Sequence, residues 1–187
     1  MKIRFLAFFL LLSIGTFAQN IGGPILSNFE EEFYSATDGV LLEFTYVGHH
    51  VSTLQADFIQ VFVAETKPLN TGLESKKALV IGHSQRRKIL GRHDFIDADE
   101  VPALIAALEH FVNKLSNTKP DKHQSFIWTS RGGYQINATF SLDVPRRFIL
   151  SSKMDALSSI SNTKVLFNKQ VRELLESLKN AQALIRI

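Results

Sequence analysis

Hydrophobic side chains in this chain recur with two different periods, and the order in which those periods alternate limits the fold more than any other feature. In residues 134–142, Tyr134, Ile136, Ala138, Phe140 and Leu142 alternate with Gln135, Asn137, Thr139 and Ser141. That alternation is the signature of a strand with one buried face. Between residues 97 and 117, Val101, Leu104, Ile105, Leu108, Phe111, Val112 and Leu115 instead recur at spacings of three and four, which makes one face of a helix.

Read along its length, the chain switches between these patterns. Residues 27–39 suit a short helix ended by Gly39. Residues 40–47 and 57–66 are rich in strand-forming side chains, and the second run, apolar on both faces, belongs in the middle of a sheet. Residues 78–83 and 88–93 form a hairpin around Ser84–Arg87. The helical segment follows, with Asp97 or Asp99 as its cap. Pro102 lacks an N–H and must lie in the first turn, which favours Asp99. Strands are then expected at 124–130, 134–142 and 146–152. A last helix from about Lys164 carries Phe167, Val171, Leu174, Leu175, Leu178 and Ala181 on one face.

Strand runs joined by short turns pair antiparallel, and the helices then cover a face. The expected fold class is α+β: a mainly antiparallel sheet of about seven strands with two long amphipathic helices, in the order strands, helix, strands, helix. In strand count and closing helix this resembles a pleckstrin-homology-like barrel, although the helix in the middle has no place in that architecture.

Residues 131–133, Arg-Gly-Gly, pose a choice between a ligand-gripping loop and a turn. A phosphate loop needs a helix after its glycines, whereas here a strand follows. A three-residue turn of Arg131, Gly132 and Gly133 sets Trp128 opposite Ile136 and Phe126 opposite Ala138, apolar against apolar. A two-residue turn would set Trp128 opposite Asn137. The three-residue turn is therefore expected, with a glycine supplying its left-handed position. Arg131 is the residue that this turn does not require.

Residues 1–18 read as a secretory signal peptide. Lys2 and Arg4 precede an apolar run from Phe5 to Ile14, and small residues at Thr16 and Ala18 place cleavage between Ala18 and Gln19. The apolar run falls short of the roughly 20 residues that span a bilayer. Taking 18 from the 187 residues leaves 169, residues 19–187, enough for one globular domain with a core of its own. The whole chain has 21 basic and 18 acidic residues; losing Lys2 and Arg4 leaves 19 against 18. A nearly neutral surface has no general pull on nucleic acid or acidic membranes. No cysteine is present, so disulfides, thiol nucleophiles and thiolate metal sites are excluded. Fifteen phenylalanines and 45% hydrophobic residues indicate a packed globule.

The densest polar run is residues 83–100, and the candidate cluster from it and the glycine turn is Arg87, Arg92, His93, Asp94 and Arg131. Arginines bind carboxylate or phosphate, and a histidine beside an acid shuttles protons. A hairpin turning at Ser84–Arg87 places His93 opposite Ala78, about 16 Å along the strand from His83, so the two histidines are expected to stay apart. No metal site and no cofactor are expected. Residues 94–100 lack calcium-loop spacing, and His49 and His50, adjacent on a strand, point to opposite faces. Gly82-His83-Ser84 lacks the second glycine of a nucleophile elbow.

The expectation is an exported, non-enzymatic protein of the periplasm or exterior that binds an unknown small ligand or protein partner, with no transmembrane span in its mature form. The alternatives are a small hydrolase using the Arg87–Asp94 region and a structural subunit of an envelope complex. An exposed apolar sheet edge or patch would favour the latter.

Overall fold

The computed structural model describes residues 25–36, 39–48, 51–53, 58–69, 74–85, 88–117, 123–140, 147–151, 163–166 and 168–186, without side chains at 84–92, 115–117, 140, 147–151 and 163–164. The proposed signal segment, with Ala18 and Gln19, lies outside these residues, as do Arg87, His49, His50 and Phe167.

The fold is α+β, built from antiparallel sheets and, among the described residues, three helices. Helix α1 (Asn28–Ser35) leads into β1 (Val40–Tyr46), the two-residue β2 (Val51–Ser52), β3 (Phe58–Pro68), β4 (Lys77–Gln85) and β5 (Lys88–Asp97), and then into α2 (Val101–Asn117). The second half repeats that order with β6 (Gln124–Thr129), β7 (Gln135–Phe140), β8 (Arg147–Ser151), β9 (Thr163–Leu166) and α3 (Asn168–Ile185). The strand orders are β1-β3-β4-β5, with β2 also on β3, and β6-β7-β8-β9. Each half is thus an antiparallel meander followed by a long helix. The two sheets are separate in their pairing, and no barrel closes among the described residues.

Among the described residues, two strands exceed the expected seven. The first, β2, is a two-residue bridge of Val51 and Ser52 to Ile59 and Phe58. The second, β9, occupies residues assigned to the start of the last helix. In Thr163-Lys164-Val165-Leu166, β-branched side chains favour the extended chain, the segment pairs with β8, and Leu166 is fully buried. Helix α3 accordingly starts at Asn168.

The glycine turn is as expected. Trp128 pairs with Ile136 and Phe126 with Ala138. Gly133 N–H donates to Ser130 O at 3.0 Å, and Gly133 has φ of 84°, a conformation that glycine adopts without the steric cost other residues incur. Strand β3 is central, as its two-sided apolar run implies, lying between β1 and β4.

One large core joins the two halves. It combines the inner face of the first sheet (Ile59, Val61, Leu79, Ile81, Ile96) with Leu104 and Leu108 of α2, Ile136 and Ala138 of β7, and Leu174 and Leu178 of α3. All of these are 0–1% exposed. Helix α3 crosses the first sheet at β2, β3 and β4 and packs along α2, where Lys179 pairs with Glu109 at 2.5 Å. A second, smaller core lies on the opposite face of the first sheet, where Phe29 of α1 meets Ala64, Ala78 and Val80.

Candidate functional site

Strand alternation decides which side chains reach the outer face of the first sheet. On β1 these are Leu42, Phe44 and Tyr46; on β3, Phe62 and Ala64; on β5, His93, Phe95 and Asp97, set by the pairs Phe44↔Ala64, Phe62↔Val80 and Gly82↔His93. The rings form one connected aromatic surface. Phe29 stacks on Phe95 at 5.4 Å between centroids, Phe44 meets Phe62 at 6.2 Å and Phe95 at 6.4 Å, and Tyr46 meets Phe62 edge-on at 5.4 Å. Such offset and edge-on pairs stabilise a face beyond its area of contact.

Much of this surface stays in solvent, with Phe44 43% and Tyr46 44% exposed; beside it on α1, Tyr34, whose ring meets Phe33, is 67% exposed. Between α1 and the sheet runs a groove of about 320 Å³, lined by Phe29, Glu30, Phe33, Tyr34, Leu42, His93 and Phe95. His93 is exposed at the groove, with its ring 5.8 Å from Phe44 and 5.9 Å from Phe62. Gly82 makes room for this packing, since a Cβ there would lie 3.2 Å from both the His93 and Phe62 rings. Partial burial against the rings pushes the His93 pKa below the ordinary 6.5; Asp94 opposes that shift and His83 adds to it.

Helix α1, one wall of the groove, is held by polar contacts at its start. Ser27 and Glu30 form a reciprocal capping box, with Ser27 N–H donating to Glu30 Oε2 at 2.9 Å and Glu30 N–H to Ser27 Oγ at 3.2 Å. Asn28 and Phe29 donate their N–H groups to the two oxygens of Asp97, at 3.0 and 2.9 Å. A carboxylate at this end also meets the positive pole of the helix. Asp97 therefore caps a helix that precedes it by 68 residues in sequence, not the one that follows it.

Asp99 does not take the expected capping role either. The first main-chain bond of α2 runs from Leu104 N–H to Glu100 O, so Glu100 holds the cap position, while Asp99 accepts from Arg131 Nη2 at 2.5 Å. Arg131 also lies 3.5 Å from Asp97 and 3.7 Å from Glu100, and its N–H donates to Glu100 Oε1 at 2.8 Å. Three acids thus surround the turn arginine, and its hydrogen bond to Asp99 raises its pKa further. This ion cluster ties the β6–β7 turn to the β5–α2 corner and, through Asp97, to α1.

The remaining members of the sequence-derived cluster separate. His93 and Asp94 follow one another on β5 and project from opposite faces, because Gly82↔His93 is an outer-face pair and Ile81↔Asp94 an inner-face pair. Arg92 pairs with His83, and its side chain lies outside those described. The hairpin register also differs from the expected one. His93 pairs with Gly82, not Ala78, for two reasons: Gln85 already pairs with Lys88, inside the span expected to turn, and the register shifts again between His83 and Gln85. The second step, a bulge, has no local sequence signal here, and the two together set His83 and His93 at adjacent positions.

On the inner face, His83 and Asp94 are 3% and 6% exposed, with Nε2 and Oδ2 3.5 Å apart. The Tyr134 ring lies 6.0 Å from that of His83 and is 1% exposed. Burial, and then the charge of Asp94, push the Tyr134 pKa well above 10. Among the described residues, neither His83 nitrogen nor the Tyr134 hydroxyl has a hydrogen-bond partner.

The groove residues other than His93 escaped the sequence reading. Two signals pointed to them: Leu42, Phe44 and Tyr46 at alternate positions of one strand, and the aromatic pair Phe33-Tyr34 on a short acidic helix. Among the described residues no helix is long and apolar enough to cross a membrane, and no group of three or more His, Asp or Glu side chains is placed to hold a metal ion. No protein-family model, curated protein or solved structure matches this chain.

Proposed function

We propose that this chain is an exported, non-enzymatic binding protein, released from its signal segment between Ala18 and Gln19, and that it holds its ligand in the groove between α1 and the outer face of the first sheet. The observation that supports this is the connected aromatic surface with Phe44 and Tyr46 in solvent, beside a groove of about 320 Å³ lined by the exposed Tyr34. Large rings left uncovered beside a concave apolar wall mark a contact surface more often than a chance exposure. A hydrolase working through the Arg87–Asp94 region has less support, because His93 and Asp94 serve different faces of the sheet.

A second reading, a subunit of an envelope complex, draws on a specific feature. Among the described residues β1 is an edge strand, and Leu41 on its other side is also 54% exposed. An open edge with apolar side chains favours pairing with a partner strand.

Native mass spectrometry of the protein recovered from its own host tests both readings. A small mass adduct on a chain starting at Gln19, lost in a Phe33→Ala, Tyr34→Ala double variant, is the expected outcome. A protein partner retained by the wild type and lost in Phe44→Ser would favour the subunit reading. A chain that carries neither would remove the binding proposal, and one that keeps Met1 would remove export.

A further inference from the structure

We infer that two copies of this chain pair antiparallel through β1, about a two-fold axis at Phe44, so that their first sheets join into one. This rests on the second reading above and names the partner strand as β1 of another copy. The main chain shows which groups such a partner would meet. Val47 N–H donates to Val61 O at 2.9 Å and Leu69 N–H to Gly39 O at 3.4 Å. Both bonds fit the register of β1 on β3, in which Thr45 lies opposite Val63 and Glu43 opposite Glu65. Bonding direction alternates along an antiparallel strand. The odd-numbered residues of β1 therefore bond to β3, and Leu42 and Phe44 turn their N–H and C=O groups to the outer edge. Among the described residues no strand takes up that edge.

The side chains are uncovered as well. Five of the seven residues of β1 are exposed, and they include Leu41 at 54% on the inner side and Phe44 at 43% on the outer side. Helix α3 packs on β2, β3 and β4, and β1 lies beyond its reach. An apolar strand open at its edge and on both faces is a template for another strand.

Charge and side-chain matching favour the strand itself as that partner. Glu43 is the charged residue of β1, and Lys67 of β3 already holds it. A charged foreign strand would gain no counter-ion here. The remaining side chains, Val40, Leu41, Leu42, Phe44, Thr45 and Tyr46, call for an apolar and aromatic partner, which β1 supplies. With the two-fold at Phe44, that ring faces its own copy, Leu42 faces Tyr46 of the second copy, and Glu43 faces Thr45. Aromatic and apolar cross-strand pairs of this kind stabilise a sheet. The outward groups of the two strands then meet in about six main-chain hydrogen bonds. A two-fold at Glu43 would set two carboxylates directly opposite, which is destabilising. One at Thr45 would carry the pairing into Gly48, whose φ of 91° ends the strand. Each copy contributes the same patch, so the contact closes as a dimer. A single strand pair is small for a stable interface, and the dimer is expected to depend on concentration.

The test is analytical ultracentrifugation of the full mature chain. Wild type is expected to shift from monomer to dimer as concentration rises. Phe44→Lys and Phe44→Glu each place like charges on the axis and are expected to weaken the dimer by about tenfold or more. An equimolar mixture of the two variants is expected to restore it, a pattern that requires position 44 to face itself. Circular dichroism checks that both variants fold. The chain has no cysteine, so a single Phe44→Cys can form a disulfide only with another copy. Residues directly opposite in a hydrogen-bonded antiparallel pair have Cα atoms about 5.5 Å apart, within disulfide range. Phe44→Cys is expected to cross-link on oxidation, and Ile127→Cys, exposed on the second sheet, is not.

A dimer that the charge variants leave intact, that their mixture does not restore, or that Ile127→Cys cross-links as well as Phe44→Cys overturns the pairing through β1. A wild type that stays monomeric at every concentration, while native mass spectrometry shows a different protein retained, overturns self-pairing and leaves the subunit reading standing. A monomer that retains no protein overturns both.

Discussion

The two faces of the first sheet are made by the same strands and end in different states. On the inner face Ile59, Val61, Leu79, Ile81 and Ile96 are 0–1% exposed, and the polar pair His83–Asp94 is shut in with them. On the outer face Ala64, Ala78 and Val80 are covered, but the rings beyond them run out into solvent. The difference lies in what covers each face. Inside lie α2 and α3, of 17 and 18 residues, together with the second sheet. Outside lies α1, of eight. At 1.5 Å per residue α1 spans about 12 Å, while four paired strands spread over roughly 14 Å and run longer than that along their axes. One short helix cannot close such a face, and the groove is the part it leaves open.

Stability measurements can break this contrast most directly. Ile81→Ala, on the closed face, is expected to cost about 2–5 kcal/mol in urea denaturation, the usual loss for a buried branched side chain. Phe44→Ala, on the open face, is expected to cost no more than about 1 kcal/mol. Equal losses would show that the outer face is closed in solution.

The next effect concerns the wall of the groove. Asp97→Ala removes the acceptor for two helix-start N–H groups and is expected to cost about 1–2 kcal/mol. The loss should show in faster amide exchange at Asn28 and Phe29, with protection at Leu104 and Leu108 unchanged. Uniform loss of protection would mean that α1 and the main core unfold as one unit.

A smaller effect separates the two neighbouring polar residues by pH. The folded-state pKa of His93 is lowered, so the protein favours the neutral ring. The unfolded chain then binds more protons. The stability contributed is complete above about 6.5 and is lost as pH falls below that value towards the folded-state pKa. His93→Phe is expected to flatten this part of the stability–pH curve. An unchanged slope would assign it to other groups.

The smallest expected effect is on the inner face. The Tyr134 hydroxyl is buried with no partner among the described residues, and removing an unsatisfied polar group is close to neutral. Tyr134→Phe should stay within about 0.5 kcal/mol of wild type, or gain stability. A clear loss would reveal a hydrogen bond at the closed end of the sheet.

Periodicity carried much of the architecture. The α2 face from Val101 to Val112 is buried as its spacing requires, and matching of apolar faces selected the three-residue turn that sets Trp128 against Ile136. These features depend on neighbours within a few residues, or on one hairpin, so local spacing contains them. Helix α3 starts later than the expected Lys164 because Thr163–Leu166 suits either element until β8 offers a partner. The candidate cluster was less legible. Its residues are close in sequence, but strand geometry sends His93 and Asp94 to opposite faces and a bulge resets their partners.

What the sequence determined by itself is therefore the α+β class, the order of the main strands and helices and which side chains must be covered, since side-chain period and the cost of leaving apolar surface in water are local properties. Tertiary structure alone decided that Asp97 caps α1, that Arg131 joins the two halves, and that rings from α1, β1, β3 and β5 meet around His93. Those contacts join residues separated by up to about seventy positions. They exist only once two helices and a second sheet have claimed the inner face and left the outer one to a helix too short to cover it.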